Sequence, residues 1–462
     1  MKWLAAALPL LLAACAVGPD YQRPTTLPPE QMRLTEALAN GAVTPSPLPD
    51  QWWRLFNDAE LDRLVAQALA KNTDLRAAAA NLQRARAVLS EAGAARLPTS
   101  NAAAKYTDSR SFIPAFGQAV TADFFSLGFD ASYEVDLFGG VSRSIEAARA
   151  DTGAAQAAVD AARVSVAAET ARAYARACGF GEQADVVRET EELQARTLAL
   201  TERRLAAGRG TRSEVDQARV LVEQARAQVP AFEAERRAAL YALAVLTGDP
   251  PSAILETAAA KCRTVPIAGE PLPVGDGQAL LARRPDVRQA ERVLAGDTAR
   301  VGIATAALYP SISLLGGVSS AATRIGNLGN SAALGFSVGP LISWNFPLNG
   351  AARARVRQNE AVANGSLAQF DGAVLGALKE AEQALARAGG AAEREAALRR
   401  AMTASTDAAR ISRIRFDYGA DSFLQLLDSE RQRAAARAAL AQAEADLADA
   451  QVSVFKALGG GW

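Results

Sequence analysis

Histidine is absent from this sequence, and aromatic residues are scarce. None of the 462 residues is histidine, which removes the commonest general base, proton shuttle and metal ligand. Aromatic residues make up 6% of a chain that is 50% hydrophobic, and alanine supplies much of the apolar share. Small apolar residues favour closely packed helices over a thick aromatic core. We therefore expect no catalytic residues, no metal site and a mainly helical fold.

The sequence also lacks an excess of charge and lacks long hydrophobic runs. Its 50 Lys and Arg residues balance 50 Asp and Glu residues, so no basic field points to nucleic acid as a partner. No segment reaches the roughly eighteen uninterrupted apolar residues of a membrane-spanning helix. If the chain crosses a membrane, we expect it to do so with β-strands.

The N-terminus has the pattern of a bacterial lipoprotein precursor. Lys2 precedes an apolar run over 3–14, which is too short to span a bilayer, and Leu12-Ala13-Ala14-Cys15 resembles a lipobox. In a lipobox the cysteine is acylated and becomes the first residue of the mature protein. We therefore predict a signal peptide over 1–14 and a covalent lipid on Cys15, with no other cofactor. The alternative is a short buried helix with a chance cysteine.

The residues after Cys15 indicate an outer-membrane address and an extended arm. Ala16 follows the cysteine, whereas an Asp there would favour the inner membrane. We expect the body of the protein to lie in the oxidising periplasm. Prolines recur up to Pro49, so we predict a lipid-anchored, proline-rich arm over 15–58, with folding beginning near Trp52 and Trp53.

The rest of the chain contains two copies of one unit. Four short motifs return in the same order at a nearly constant offset, and ordered matches of this kind indicate a tandem repeat. The matched motifs are Asp74-Leu75-Arg76 with Asp286-Val287-Arg288, Leu97-Pro98-Thr99 with Tyr309-Pro310-Ser311, Leu127-Gly128-Phe129 with Leu334-Gly335-Phe336, and 204–208 with 415–419. We predict repeats over 59–247 and 276–459, an irregular, proline-containing connection over 248–275, and a tail over 460–462.

Each repeat predicts a helix, two strands and a long helical hairpin. The first helices cover 59–96 and 276–307, and each ends before a proline. The long helices cover 142–207 and 351–418, and about 65 residues correspond to roughly 100 Å of helix. Shorter helices return over 213–246 and 422–458. Glycines such as Gly372 and Gly376 are expected to loosen the second long helix.

The predicted strands have the alternation of membrane strands. From Leu127 to Leu137 every second residue is apolar or aromatic, and the intervening positions include Asp130, Glu134 and Asp136. The second copy keeps this parity over 334–345, where Pro340 is expected to interrupt the strand, and weaker strands are predicted over 101–107 and 311–318. A lipid-facing sheet must close into a barrel of about eight or more strands, so several copies are needed. In such a barrel the polar face of the strands would line a water-filled lumen. The alternative is an amphipathic sheet of a soluble protein.

Several motifs in combination resemble the TolC-like outer-membrane factors, closest to their lipoprotein (NodT/OprM-type) branch. They are Gly18-Pro19-Asp20-Tyr21 after the lipobox, Trp52-Trp53, Tyr133-Glu134-Val135-Asp136-Leu137-Phe138-Gly139, Leu308-Tyr309-Pro310-Ser311, Ser343-Trp344-Asn345-Phe346-Pro347 and Tyr418-Gly419-Ala420-Asp421-Ser422-Phe423-Leu424. The resemblance covers essentially the whole mature chain. It implies a homotrimer with a twelve-stranded outer-membrane β-barrel, a long periplasmic α-barrel and a mixed equatorial belt.

The same resemblance implies a passive exit duct for small molecules such as drugs. Its partners would be a periplasmic adaptor protein, an inner-membrane pump and outer-membrane lipid. Two alternatives remain: the outer-membrane component of a type I protein-secretion system, and a structural coiled-coil lipoprotein of the envelope. An enzyme is not expected, since without histidine or clustered cysteines no catalytic constellation can be assembled.

Cys178 and Cys262 are predicted to form a disulfide. They are the only cysteines left once Cys15 is acylated, and the periplasm is oxidising. Cys178 precedes the turn at Gly208 by roughly 45 Å of helix, and the returning helix brings Cys262 back to a similar level. Two independently buried thiols are the alternative.

The two turns between long and returning helices are predicted to form the gate and the adaptor-facing tips. These tips are Gly208 to Thr211 and Gly419 to Ser422, the first basic and the second flanked by Asp417, Tyr418 and Asp421. In similar proteins an acidic residue of the second tip faces the pore axis, and Asp421 matches that position. Arg415, or an arginine of the first tip, would pair with Asp421 and hold the resting state closed. The alternative is that Asp421 only caps the returning helix.

Overall fold

The computed structural model describes residues 16–25, 28, 34, 43–114, 117–269, 271–344, 346 and 350–460. Its strands are β1 (Val43–Thr44), β2 (Thr99–Ile113), β3 (Gln118–Val135), β4 (Leu272–Pro273), β5 (Ser311–Ala322) and β6 (Leu334–Ser343). Its α-helices are α1 (Ala59–Lys71), α2 (Thr73–Ala94), α3 (Gly140–Ala206), α4 (Arg212–Thr247), α5 (Pro251–Ile254), α6 (Gly277–Arg283), α7 (Pro285–Ala306), α8 (Ala351–Asp417) and α9 (Phe423–Ala457). Short 3-10 turns lie at Trp52–Phe56, Ala258–Lys261 and Ile325–Asn327.

The chain folds into two compact units, and these do not coincide with the two sequence repeats. The first unit contains the described residues within 1–25, 81–156 and 289–371, and the second contains those within 26–80, 157–288 and 372–462. Each unit takes part of both repeats. The four long strands belong to the first unit, and both helical tips belong to the second.

The first unit holds an antiparallel sheet with one apolar face and one polar face. Its strand order is β2-β3-β5-β6, so the two repeats meet at the β3–β5 pair. Paired residues of an antiparallel sheet share a face, and the register aligns Phe129 with Val318 and Val318 with Phe336. Phe336 is 87% exposed and Val338 is 83% exposed. The alternation predicted for β3 therefore extends across the sheet as an uncovered apolar surface.

The predicted strands over 101–107 and 127–137 differ from the structure in their bounds, because β2 covers Thr99–Ile113 and β3 covers Gln118–Val135. Two further details of the predicted strands are wrong. Pro340 does not interrupt β6, because the strand continues through it and pairs it with Leu314. Within a single chain β6 is at the edge of the sheet, where a proline is tolerated. Asp136 is not part of the polar face of β3, because the strand ends at Val135. The carboxylate of Asp136 instead accepts hydrogen bonds from the backbone N–H groups of Val141 and Ser142, at 2.9 and 2.8 Å. Asp136 thus caps the start of α3.

The long helices follow the predicted bounds to within two residues. Helices α3 and α8 each have 67 residues, and α8 continues without a break through Gly372 and Gly376. The predicted first helices are each divided in two, at Asn72 and at Arg284. Each break lies two positions before the matched Asp-Leu-Arg or Asp-Val-Arg motif, so the division belongs to the repeat. Among the described residues, no helix is sufficiently long and apolar to cross a membrane.

The core of the second unit includes the end of the predicted arm. Trp52 is 1% exposed and stacks on Phe455 of α9, with 4.8 Å between the ring centroids. Asp58 caps α1 and accepts a hydrogen bond from the hydroxyl of Tyr174 at 2.9 Å. The last residues of the arm predicted over 15–58 are therefore packed in this core, in agreement with the prediction that folding begins near Trp52 and Trp53.

A disulfide fastens the connection between the repeats to α3. It joins Cys178 to Cys262, the pairing expected from the sequence, with 4.8 Å between the Cα atoms. Gly181 permits this approach, because a Cβ atom there would lie 2.7 Å from the carbonyl oxygen of Cys262. The connection is more regular than predicted: it contains α5, a 3-10 turn and β4, which pairs in parallel with β1.

The beginning of the described chain is held on the first unit. The backbone N–H of Val17 donates to the carbonyl oxygen of Phe138 at 3.2 Å. Arg143 binds the carboxylate of Asp20 at 2.6 Å, and the hydroxyl of Tyr21 donates to Glu291 at 2.7 Å. The signal peptide over 1–14 and Cys15 lie outside the described residues.

Candidate functional site: the two helical tips

The two tips are the same turn built twice. In each, the long helix ends in a Schellman motif around a glycine with positive φ, 67° at Gly208 and 74° at Gly419. The backbone N–H of Arg209 donates to the carbonyl oxygen of Arg204 at 2.8 Å, and that of Ala420 donates to Arg415 at 2.7 Å. The glycines are needed because a side chain at this backbone angle would be strained.

Both returning helices begin with a capping box. Thr211 accepts from the backbone N–H of Glu214, and Ser422 accepts from that of Gln425. The side chains of Glu214 and Gln425 accept in turn from the N-cap backbone, which satisfies donors that the helix cannot. The predicted tip residues Gly208, Thr211, Gly419 and Ser422 are therefore the residues that shape the turns.

The carboxylate of Asp421 is held inside the second tip. Nε of Arg415 donates to one of its oxygens at 2.7 Å, and the hydroxyl of Ser412 donates to the other at 3.2 Å. The side chain of Asp421 is 9% exposed, whereas that of Arg415 is 57% exposed and covers it. The alternative that Asp421 caps α9 is wrong, because Ser422 is the N-cap. Arg415, and not an arginine of the first tip, is the residue that pairs with Asp421.

Tyr418 lies beside this ion pair without being part of it. It is 87% exposed, which leaves its ring free to contact another chain. Its neighbour Asp417 is also exposed and forms no ion pair with any residue that the structure describes. The second tip thus presents one aromatic ring and one carboxylate on its surface.

The two tips are joined by packing and by polar contacts that the sequence patterns did not reveal. A small apolar cluster includes Phe416, Phe423 and Leu426 together with Ala218 of α4. The guanidinium of Arg204 lies over the ring of Phe416, 4.8 Å from its centroid. These contacts link α8 and α9 to the first hairpin, so a movement of one tip is resisted by the other.

A buried carboxylate strengthens this junction. Glu430 is 3% exposed and lies 3.0 Å from Arg413 and 2.7 Å from Arg433. Arg413 also donates to the hydroxyl of Thr197 on α3, at 3.1 Å. No local sequence pattern indicates this network, because its members come from helices of both repeats. Alignment of the two repeats was the only sequence signal that could have suggested it. In the described part of the chain, no group of three or more Cys, Asp or Glu side chains is arranged to hold a metal ion.

The sequence profile of a known family covers most of the chain. The profile described as "Outer membrane efflux protein" matches residues 64–249 and 277–460, one match for each repeat. This chain belongs to the outer membrane efflux protein family. The two matched ranges lie close to the repeats predicted from internal similarity.

Individual members of the outer membrane efflux protein family align along the whole chain. Nodulation protein T of Rhizobium leguminosarum bv. viciae is 31% identical over 459 residues, which cover 99% of this chain and 93% of that protein. The outer membrane protein OprJ of Pseudomonas aeruginosa is 30% identical over 458 residues, which cover 98% and 94%. The solved structure of the outer-membrane channel OprN matches with a TM-score of 0.91 at 37% identity, over 97% of this chain and 100% of that one. The fold is that of an outer-membrane channel protein, as the sequence predicts.

Proposed function

We propose that this outer-membrane efflux protein works as a homotrimer, the exit duct of a tripartite pump for small molecules. The observation that carries the proposal is the sheet β2-β3-β5-β6, which has two free edges and an uncovered apolar face. In hydrocarbon each unpaired backbone group is costly, so such a sheet has to close into a barrel. Three copies supply twelve strands, in which β6 of one copy pairs with β2 of the next.

The dimensions of the sheet support this assembly. β5 has 12 residues and β6 has 10, close to the roughly 9–11 residues that a tilted membrane strand needs. β2 has 15 residues and β3 has 18, so these two strands would extend beyond the hydrocarbon. The opposite face carries polar side chains such as Asn101, Asp130 and Ser337, which suit a water-filled lumen. The long helices of three copies would form the proposed α-barrel, together with a mixed equatorial belt.

The tips are proposed to be the gate and the contact with the periplasmic adaptor. In a trimer three copies of Asp421 would lie near one axis, where like charges repel unless they are paired. The ion pair with Arg415 supports a closed resting state, because it neutralises each carboxylate within its own chain. Breaking this pair would expose the three carboxylates and favour the passage of cations. An inner-membrane pump would supply the energy.

The lipid anchor on Cys15 remains a separate proposal. It is supported by the lipobox and by the ordered contacts of Val17, Asp20 and Tyr21, which hold the following residues on the first unit. Intact-mass analysis of the mature protein should show loss of 1–14 and addition of lipid. An unmodified Cys15 in protein purified from the outer membrane would contradict the proposal.

Conductance in planar bilayers tests the proposed duct. Purified protein should insert and give ion-conducting steps, since a continuous lumen passes ions whatever compound its pump delivers. A structural envelope tether with the same helices would give none. Arg415→Ala, which lacks the ion pair proposed to hold the tip closed, serves as the opened form. If both proteins are folded, as shown by a band that shifts on boiling in electrophoresis, and neither conducts, the proposed function is wrong.

A further inference from the structure

Strands β2 and β3 continue beyond the rest of the sheet as a two-stranded ribbon. β3 begins at Gln118, but its pairing with β5 begins only at Phe125, which lies opposite Ala322. Among the described strands, residues 118–124 pair with residues 107–113 of β2 alone. At about 3.3 Å per residue this ribbon, 107–113 with 118–124, measures roughly 23 Å. It lies at the end of the sheet away from α3, because β3 runs from the ribbon towards that helix.

The apolar face of the sheet becomes polar where the ribbon begins. Tyr106 and Phe125 are paired on this face, with 4.9 Å between their ring centroids. The next pair on the same face is Asp108 with Asp123, and Asp123 accepts a hydrogen bond from the hydroxyl of Tyr106 at 2.8 Å. Tyrosine is typical of the interface between a bilayer and water, whereas two facing carboxylates are too costly within hydrocarbon. In the proposed barrel the hydrocarbon therefore ends at the level of Tyr106.

The polar face of the sheet becomes apolar at the same level. Along β3 this face carries Asp130 and Ser126, and then Phe124, Ala122 and Val120. The β2 residues opposite the last three are threonine or serine, whose side chains are too small to cover them. Phe124 is 48% exposed and Val120 is 37% exposed. The ribbon thus has its apolar side chains on the face that is polar in the rest of the sheet.

This exchange of faces indicates a contact on the lumenal side of the ribbon. Because side chains of a strand alternate strictly, Phe124 and Val120 lie on the face of Asp130, which would line the lumen of the proposed barrel. Exposed apolar side chains grouped on one face are typical of an interaction surface. Across the lumen of a symmetric barrel, the groups that face this surface are the same surfaces of the other copies.

The ribbon is long enough to reach the other copies. Twelve strands, about 4.8 Å apart and tilted by about 40°, close into a barrel with a backbone radius of roughly 12 Å. The ribbon, at roughly 23 Å, is about twice as long as this radius. Two-stranded ribbons also twist more strongly than wider sheets, which allows them to lean over the lumen.

We propose that the Phe124 and Val120 surfaces of three ribbons pack against one another and form an apolar constriction at the outer exit of the duct. The proposal rests on the proposed function, which supplies the three copies and the lumen. An apolar constriction restricts flow by excluding water, so it opposes ions and polar solutes more than apolar ones. The ribbon belongs to the first unit, whereas the Arg415–Asp421 pair belongs to the second. The chain therefore carries two separate restrictions on the same passage.

Disulfide cross-linking of the full-length protein tests the contact between ribbons. Phe124→Cys places a thiol on the lumenal face, and mild oxidation in nanodiscs that each hold one particle should give a two-chain band in a non-reducing gel. Two cysteines form a bond only when their Cα atoms lie within about 7 Å of each other. Wild type gives the background, since Cys178 and Cys262 are already joined.

The matched control lies on the opposite face of the same ribbon. Phe112 is 64% exposed and is paired with Ala119 on the face of Asp123. Phe112→Cys should therefore give no more two-chain band than wild type. No cross-link at position 124, or equal cross-linking at positions 112 and 124, would overturn the proposal. So would cross-linking at position 112 alone, because the ribbon would then contact another molecule through its outward face.

Conductance separates this proposal from the proposed function. With the tip opened by Arg415→Ala, Phe124→Ser should raise single-channel conductance, because it removes an apolar ring from the constriction. Phe112→Ser should not, and equal conductance of these two variants would overturn the proposal. A conducting particle of three chains without the cross-link at position 124 removes the constriction and leaves the duct. A folded protein that conducts in neither tip form removes the duct, and the constriction loses its lumen with it.

Discussion

Removal of the guanidinium of Arg415 should shift the second tip towards its open state. The Arg415–Asp421 pair has a covered carboxylate, 9% exposed, and a guanidinium that is 57% exposed. A hydrogen bond to a charged group contributes about 1.5–3 kcal/mol, and an exposed ion pair about 0.2–1 kcal/mol. The Arg415–Asp421 pair is intermediate in exposure between these two kinds of interaction. Arg415→Ala should therefore destabilise the closed tip by about 1–2 kcal/mol, which corresponds to roughly a 5–30-fold change in the closed-to-open equilibrium.

Single-channel recording measures this shift, and the same helix offers a control. Arg410 pairs with Asp407 at 3.6 Å, but both side chains are largely exposed, at 63% and 64%. Arg410→Ala should therefore leave the open probability nearly unchanged, while Arg415→Ala raises it. Asp421→Asn keeps an acceptor for Arg415, so its effect on opening should be smaller. It removes the charge near the axis, so it should lower cation preference, measured as a reversal potential under a salt gradient.

Two outcomes would contradict this reasoning. If Arg415→Ala and Arg410→Ala open equally often, the ion pair does not hold the closed state. If hydrogen exchange over 412–425 becomes faster in Arg415→Ala while conductance is unchanged, the pair stabilises the turn without gating the channel.

Three further predictions concern the disulfide, a half-buried carboxyl group and the sheet. Replacing Cys178 and Cys262 by alanine removes a disulfide that spans 84 residues, and the loss of its constraint on the unfolded chain should lower the free energy of unfolding by at most about 4–5 kcal/mol. Hydrogen exchange over 248–269 should become faster. Unchanged exchange would contradict this prediction. Burial, and then the neighbouring charge of Glu444, raises the pKa of Glu182 in the folded state. Ionisation of Glu182 therefore destabilises the folded state once the pH rises above the ordinary pKa range of a glutamate. Glu182→Gln should therefore raise the thermal midpoint at neutral pH, with the gain disappearing as pH falls below that range; a gain that is independent of pH would refute the assignment. Phe336→Arg on the apolar face should cost about 2–4 kcal/mol of folding in lipid and reduce the unboiled, folded band in electrophoresis. Ser337→Arg on the polar face should not, and equal losses would contradict the assignment of faces.

The strands and long helices could be predicted because their determinants are local. Alternation over Leu127–Leu137 indicated the faces of β3, and the structure extends the same parity to its neighbours. The ends of α3 and α8 follow from Gly208 and Gly419. Even the missed breaks have local causes, since Asn72 accepts from the backbone of Asp74 and Arg284 precedes a proline.

Other features could not be predicted because they depend on tertiary contacts. The strand pattern assigns Asp136 to the polar face, and only the path of the chain into α3 shows that it is a cap. Trp52 lies in the core because it stacks on Phe455, which belongs to the last helix of the chain. At the candidate site the sequence suggested that an arginine neutralises Asp421, but the choice of Arg415 and the contribution of Ser412 required their positions in space.

The mass of the intact particle tests the central claim most directly. One four-stranded sheet cannot close alone in lipid, so more than one chain is required. The resemblance to the TolC-like outer-membrane factors implies three, so native mass spectrometry of the protein released from detergent should give three chains. The same preparation should conduct in planar bilayers. A stable single chain that conducts would contradict the trimeric duct.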